Sequence, residues 1–384
     1  MTGVKRLLAI IDSDMDKVGI TKGDVAKRLG VSGGTVSNYF KGKHKISYLT
    51  FIQLTKVVYG KYNHELIRRF AERTKAKVDI EAMEWAYANS DVKLLSILID
   101  KDKEKKNAIT SVYELQLQRI EGEIDPDTFS DKIGDLEFHT KSIDLETQIL
   151  LGICKIYHHV DSAAFPAVQP EARTLLKQIQ RIENEYIKNA FTIRVKIALA
   201  LSSIRSNDLH KAEEIANEIA TQEVYDSFPI YYTNALIYLS EIHFFNDFSR
   251  SSQYIKEAIE MVDKGLVDEN KRIKKSIKAT YDFIHLYHNK IDNLYLEDLA
   301  EQAHYYAKQN NQIAKEKALD ILEKLFVKQG KLSNFQMYYK SLALNDIGLM
   351  EQTKERFYLS GDFHYVKLPK NFIENFNKLG SKSC

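Results

Sequence analysis

Apolar residues recur at three- and four-residue intervals along almost the whole chain, the spacing of one face of an α-helix. Val4, Leu7, Leu8 and Ile11 set the pattern over residues 4–17, and Leu49, Ile52, Leu54 and Val57 repeat it before Gly60. From about residue 62 the same period persists in segments such as IEAMEWAYA, LLSILI, ILLGICKIYHHV, IRVKIALALSSI and TNALIYLSEIHFF. The alternation of a half-buried strand is nowhere sustained. Separators are short: IDPD, SIDLE, SND, FND, KQG and LND. The pattern predicts an all-α chain of closely connected helices.

The connections carry a repeat. Asn-Asp recurs at 207–208, 246–247 and 345–346, each time between helical segments, and the first two pairs lie 39 residues apart. That spacing is near the period of tetratricopeptide-like (TPR-like) hairpins. The segment NDLHKAEEIANEIA also places Ala212 and Ala216 where two helices of a hairpin pack closely. The period drifts, so the array is degenerate. Stacked hairpins curve into an α-superhelix whose concave face suits an extended peptide. An irregular helical domain without a groove is the plainer alternative.

The stretch KGDVAKRLGVSGGTVSNYFKG at residues 22–42 has a different organisation. Ala26 is small enough for two helices to cross closely, and Gly30 falls where the chain must leave the first helix with positive φ. Val31 and Val36 plug the space between the helices, and Ser32 is a good N-cap for a second helix over residues 33–41. This register resembles the Cro/repressor type of helix-turn-helix, whose second helix lies in the DNA major groove. An ordinary helical hairpin with a glycine turn is the bland alternative.

Charge supports the nucleic-acid reading. Residues 1–60 hold ten Lys or Arg against four Asp or Glu, a net of +6 in a chain of only +2, which leaves about −4 for the rest. Phosphate neutralisation with counterion release needs such an asymmetry. Ser37, Asn38 and Lys41 point outward on the expected recognition helix, Lys43, His44 and Lys45 follow it, and Lys22 and Thr35 complete the expected DNA-binding set with Ser32. Gly33 and Gly34 stand where base-reading side chains often sit, so shape and spacing are expected to carry much of the specificity.

At 384 residues the chain is long enough for more than one domain, and its 5 Pro and 28% charged residues suit long helices better than sandwiches or barrels. Two distant cysteines, Cys154 and Cys384, make no disulfide framework, so a reducing cytoplasm is the expected setting. No apolar run approaches a membrane span, and acids interrupt the N-terminal apolar segment. Phosphate-cradling and dinucleotide-binding glycine motifs are missing. His158 and His159 are adjacent and diverge by about 100° on a helix, so they are poor joint metal ligands. No catalytic constellation, metal or cofactor is expected.

Two functions of different class fit: a regulator whose helical repeat senses an oligopeptide, and an adaptor that tethers a partner protein to DNA. The basic motif argues against a helical-repeat phosphatase. The layout resembles the peptide-responsive regulators of Gram-positive bacteria. YIKNAFTIRV at 186–195, DLAEQAH at 298–304 and GDFHYVKLP at 361–369 are similar, in common order, to the AimR family of arbitrium receptors from temperate Bacillus phages. The resemblance implies a homodimer on two operator half-sites, control of lysis and lysogeny through a lysogeny-inhibiting RNA, and loss of activity when a short peptide binds. It implies peptide contacts from Glu301, Asp362 and His364, with a polar clamp near Leu201, Arg205, Pro229 and Ser240. The expected divisions are a DNA-binding domain at 1–60, a TPR-like sensing domain at 61–346 and a capping or dimerisation segment at 347–384. In the last, Phe372, Ile373, Phe376 and Leu379 form an apolar stripe. The expected partners are double-stranded operator DNA, an oligopeptide and a second copy of the chain.

Overall fold

A computed structural model describes residues 3–74, 78–102, 107–139, 144–264 and 271–380, without the side chains of residues 271, 272, 379 and 380. Among the described residues every regular element is a helix. The N-terminal unit comprises α1 (Gly3–Val18), α2 (Lys22–Leu29), α3 (Gly33–Lys41), α4 (Tyr48–Tyr59) and α5 (His64–Arg73). Next come α6 (Ile80–Ala88), α7 (Val92–Asp102), α8 (Ala108–Glu121), α9 (Pro126–His139), α10 (Leu145–Asp161) and α11 (Phe165–Ile179). The central helices are α12 (Glu185–Arg205), α13 (Leu209–Ile219), the short α14 (Gln222–Ser227), α15 (Pro229–His243), α16 (Phe248–Asp263) and α17 (Lys271–Tyr287). The chain ends with α18 (Leu299–Ala307), α19 (Gln312–Gln329), α20 (Asn334–Leu344), α21 (Ile347–Leu359) and α22 (Lys367–Gly380).

Sequential helices pack as antiparallel hairpins, so contacts run mainly between neighbours, as in a solenoid. The recurring Asn-Asp pairs now have a physical reason. Asn207 and Asn345 end their helices with φ of +60° and +52°, a conformation that Asn tolerates better than most residues. Asp208, Asp247 and Asp346 then cap the next helix, each accepting a backbone N–H three residues on. Ala212 and Ala216 are fully buried where α13 meets α12 and α15.

Burial forms two large cores. One runs from Leu7 to Ala235 and joins the DNA-binding unit to the first half of the repeat. Within it Phe51 of α4 stacks on Phe70 of α5 at 4.1 Å, and Tyr62 meets Trp85 edge-on at 5.0 Å. The other runs from Leu236 to Leu368. A backbone contact then folds the C-terminal part back on the centre: the Phe363 N–H donates to the Arg205 carbonyl at 2.7 Å. None of the described helices is long and apolar enough to cross a membrane.

Candidate DNA interface and ligand groove

The helix-turn-helix is built as its residues require. Thr21 and Asp24 form a reciprocal capping box at the start of α2, and Ser32 accepts the Thr35 N–H to start α3. Gly30 takes φ of +66°, and the next N–H, of Val31, closes on the Ala26 carbonyl. Val25, Ala26 and Val36 are buried between the two helices.

The eight residues expected at DNA divide into two groups. Ser32 and Thr35 bond to each other at 2.9 Å, and Lys22 sits 2.9 Å from Asp12 and over the Phe40 ring. These three side chains are engaged within the N-terminal unit itself. The side chains of Ser37, Asn38, Lys41, Lys43 and Lys45 make no hydrogen bond or ion pair among the described residues, and the last three are exposed. Lys43 is set in place by its own N–H, which donates to the Asn38 carbonyl at 2.9 Å.

A second feature is a cavity of about 620 Å³ along α12 and α15. Arg194, Ala198 and Leu201 line it from α12, and Tyr231, Asn234 and Tyr238 from α15. Those spacings put each set on one helix face. Arg119, bidentate to Asp161 at 2.6 and 2.8 Å and stacked on Tyr157, forms the facing wall. Asn234 is half-buried there, and its side-chain amide makes no hydrogen bond among the described residues. Ion clusters, one fully buried and one partly buried, mark the two ends of this face. At one, Arg194 pairs with Glu84 at 2.7 Å with both side chains fully buried, and its Nε donates to the Tyr157 hydroxyl. At the other, Arg205 lies 3.4 Å from both Glu241 and Asp362. Burial opposes the Arg205 charge, but the two carboxylates outweigh it and raise its pKa.

Of the residues expected at a peptide, Arg205 and Asp362 meet, and His364 lies beside them. His364 is buried with Nε2 at 3.1 Å from the Glu241 carbonyl, and burial pushes its pKa down to about 3, so it is neutral. The other two depart from expectation. Glu301 does not join Asp362 but forms a separate buried cluster, accepting the Tyr339 hydroxyl at 2.7 Å and lying 3.1 Å from His304 Nδ1. Burial raises its pKa to about 8, so it is mostly uncharged at neutral pH and is no ready-made anionic clamp. Ser240 is fully buried on another side of α15, its hydroxyl donating to the Ser251 carbonyl at 2.7 Å, so it ties α15 to α16 and does not line the groove. Pro229 opens α15, and its carbonyl accepts the Thr233 hydroxyl.

The groove residues Arg119, Asp161, Tyr157, Asn234 and Tyr238 belong to no motif, and sequence reading missed them. One signal was present: Arg194 stands inside the apolar run IRVKIALA, where a charge must find a buried partner. On α22, Phe372 and Ile373 pack partly against the second core, while Phe376 is 41% exposed. The Leu379 side chain lies outside the described residues.

Comparison with known proteins gives the family and the fold. Residues 64–375 match the family described as AimR transcriptional regulator-like, and residues 13–57 match a helix-turn-helix family. The AimR transcriptional regulator of Bacillus phage SPbeta is 24% identical over 345 residues, covering 84% of this chain and 81% of that protein. An uncharacterised Bacillus anthracis protein is 28% identical over 238 residues, or 62% of this chain and 87% of its own. Among solved structures, ligand-bound phAimR superposes with a TM-score of 0.72 at 18% identity, over 87% of this chain and 98% of that one. A selenomethionine form of phAimR superposes at 0.67, over 96% and 97%.

Proposed function

The chain belongs to the AimR transcriptional regulator-like family, and from that membership we propose a peptide-responsive, DNA-binding regulator of a phage lysis–lysogeny decision, acting in the bacterial cytoplasm. The helix α3 enters the operator major groove, with Asn38 reading bases and Lys41, Lys43 and Lys45 meeting phosphates. Two copies, joined through α22, engage two half-sites. A short oligopeptide occupies the face of α12 and α15.

The observation that carries this reading is the open groove of about 620 Å³ with the free Asn234 amide, in the same chain as a basic helix-turn-helix. From Arg194 to Arg205 the helix rises by roughly 16 Å at about 1.5 Å per residue. An extended peptide at about 3.3 Å per residue covers that distance with roughly five residues. Asparagine suits the task, because its amide both donates to and accepts from a peptide backbone.

The test is selection of bound DNA by the full-length protein, followed by titration of short peptides encoded beside its gene. A cognate peptide should shift operator affinity and lose about tenfold in binding to Asn234→Ala, near the net worth of one or two hydrogen bonds. If operator binding persists unchanged with every such peptide, the chain is instead a DNA-tethered interaction adaptor.

A further inference from the structure

A second cavity, of about 550 Å³, opens where the ends of α17 and α18, the start of α19 and the helix α22 converge. It shares no lining residue with the groove along α12 and α15. Among the described residues its wall contains no Asp or Glu, and the charged side chains there are Lys308 and Lys315. The Lys308 ammonium donates to the carbonyls of Leu286 and Tyr287, capping the C-terminal end of α17. An ammonium has three donors, so one remains. No carboxylate pairs with Lys308 or Lys315 among the described residues. Such a cation, drawn partly out of water without a counter-ion, is costly to the folded state.

The rest of the wall suits an organic molecule. Asn371 and Asn375 bring amides from α22, and Tyr287 and Phe372 bring rings. Asn371 donates to the Tyr287 hydroxyl at 2.9 Å, which leaves its amide oxygen and second N–H for other partners. His288 is committed elsewhere, with Nε2 2.7 Å from the Phe244 carbonyl.

We propose that this cavity is a binding site for a small organic anion, with a carboxylate or phosphate head on an apolar or aromatic body. The head neutralises Lys308 and Lys315 and takes N–H donors from Asn371 and Asn375, while the body lies against Tyr287 and Phe372. Because Asn371, Phe372 and Asn375 all belong to α22, occupancy fastens that helix to α17, α18 and α19.

The test uses the full-length protein with phenyl phosphate and benzoate as probes and chloride as the control, at constant ionic strength. Isothermal calorimetry should show saturable binding of at least one probe. Phenyl phosphate alone would identify a phosphate head, and benzoate alone a carboxylate. Lys315→Glu should weaken that binding tenfold or more and leave the far-ultraviolet spectrum unchanged. Asn234→Ala, in the other groove, should leave it as in the parent. The proposal fails if neither probe binds above chloride, if Lys315→Glu binds as tightly as the parent, or if Asn234→Ala abolishes binding.

Discussion

Arg205 and Asp362 stand 157 positions apart, yet the Arg205 guanidinium reaches the Asp362 carboxylate at 3.4 Å while its carbonyl accepts the next N–H, of Phe363. Asp362 also caps its own turn by accepting the Tyr365 N–H at 3.1 Å. Its removal therefore costs both a buried counter-charge and a cap. Asp362→Ala should destabilise the fold by about 2–3 kcal/mol, the scale of hydrogen bonds to charged groups. Asp362→Asn keeps the acceptor and should cost less. Urea unfolding measures both, and an unchanged midpoint for Asp362→Ala would remove this contact as the lock of the C-terminal part.

Glu301 predicts a pH dependence of stability. Its folded pKa of about 8 lies above its unfolded value near 4.5, so the folded state binds the extra proton. Stability from this group is full below about pH 4.5 and is lost as pH rises toward 8. His304, beside it, is depressed by burial and acts in the opposite sense, but only below its ordinary pKa of 6.5. Between about pH 6.5 and 8 the Glu301 slope is left exposed. Glu301→Gln, which mimics the protonated acid, should flatten the slope there in denaturation midpoints. A parent and variant with parallel profiles would mean the carboxyl is ionised throughout.

The sequence was most legible where backbone chemistry is local. Gly30, Ser32 and the Asn-Asp pairs name their own turns and caps, and the apolar period names the helices. Long-range geometry was partly legible. The GDFHYVKLP segment pointed to Asp362 and His364, but nothing local says that Glu301 turns toward Tyr339 or that Ser240 faces Ser251. The groove was least legible, because its face is assembled from residues spaced three and four apart on helices distant in sequence. Leu201 and Tyr238 become neighbours only when α12 packs on α15.

Recognition by α3 should follow the division between fastened and free side chains. Lys41→Gln and Lys43→Gln should weaken binding to all DNA sequences alike and lower the salt slope by about one each. Asn38→Ala should change sequence preference by about 1–3 kcal/mol per lost base contact. Point changes are the right test, because Phe51 stacks on Phe70 and deletion of residues 1–60 strips the shared core. Operator affinity that ignores all three changes would move the interface off α3.

The dimer prediction narrows to Phe376, since Phe372 and Ile373 are partly used by the core of their own chain. Phe376→Glu should give a folded monomer in sedimentation, with operator affinity reduced because two linked heads no longer share an effective concentration. A parent protein that is monomeric at micromolar concentration would end this reading of α22.

A route from groove to DNA is visible at Lys56. This residue of α4 donates its ammonium to the Asp226 carbonyl at the end of α14, and the Tyr62 hydroxyl lies 3.4 Å from the same oxygen. Two residues on, Phe228 stacks against Tyr231, which with Ile230 lines the groove. The groove wall and the anchor of the DNA-binding unit are thus adjacent turns of one backbone. If a peptide in the groove shifts Tyr231, the adjacent joint between α14 and α15, which carries the Asp226 carbonyl, is the path by which the shift would reach α4. Lys56→Met keeps an unbranched apolar side chain but removes the donor and, with it, the cation over the Tyr62 ring. Peptide affinity, measured without DNA, should stay as in the parent. The ratio of operator affinities with and without peptide should collapse toward one, whereas couplings of this kind are typically about 1–3 kcal/mol. A ratio equal to the parent's would show that the signal does not pass through Asp226.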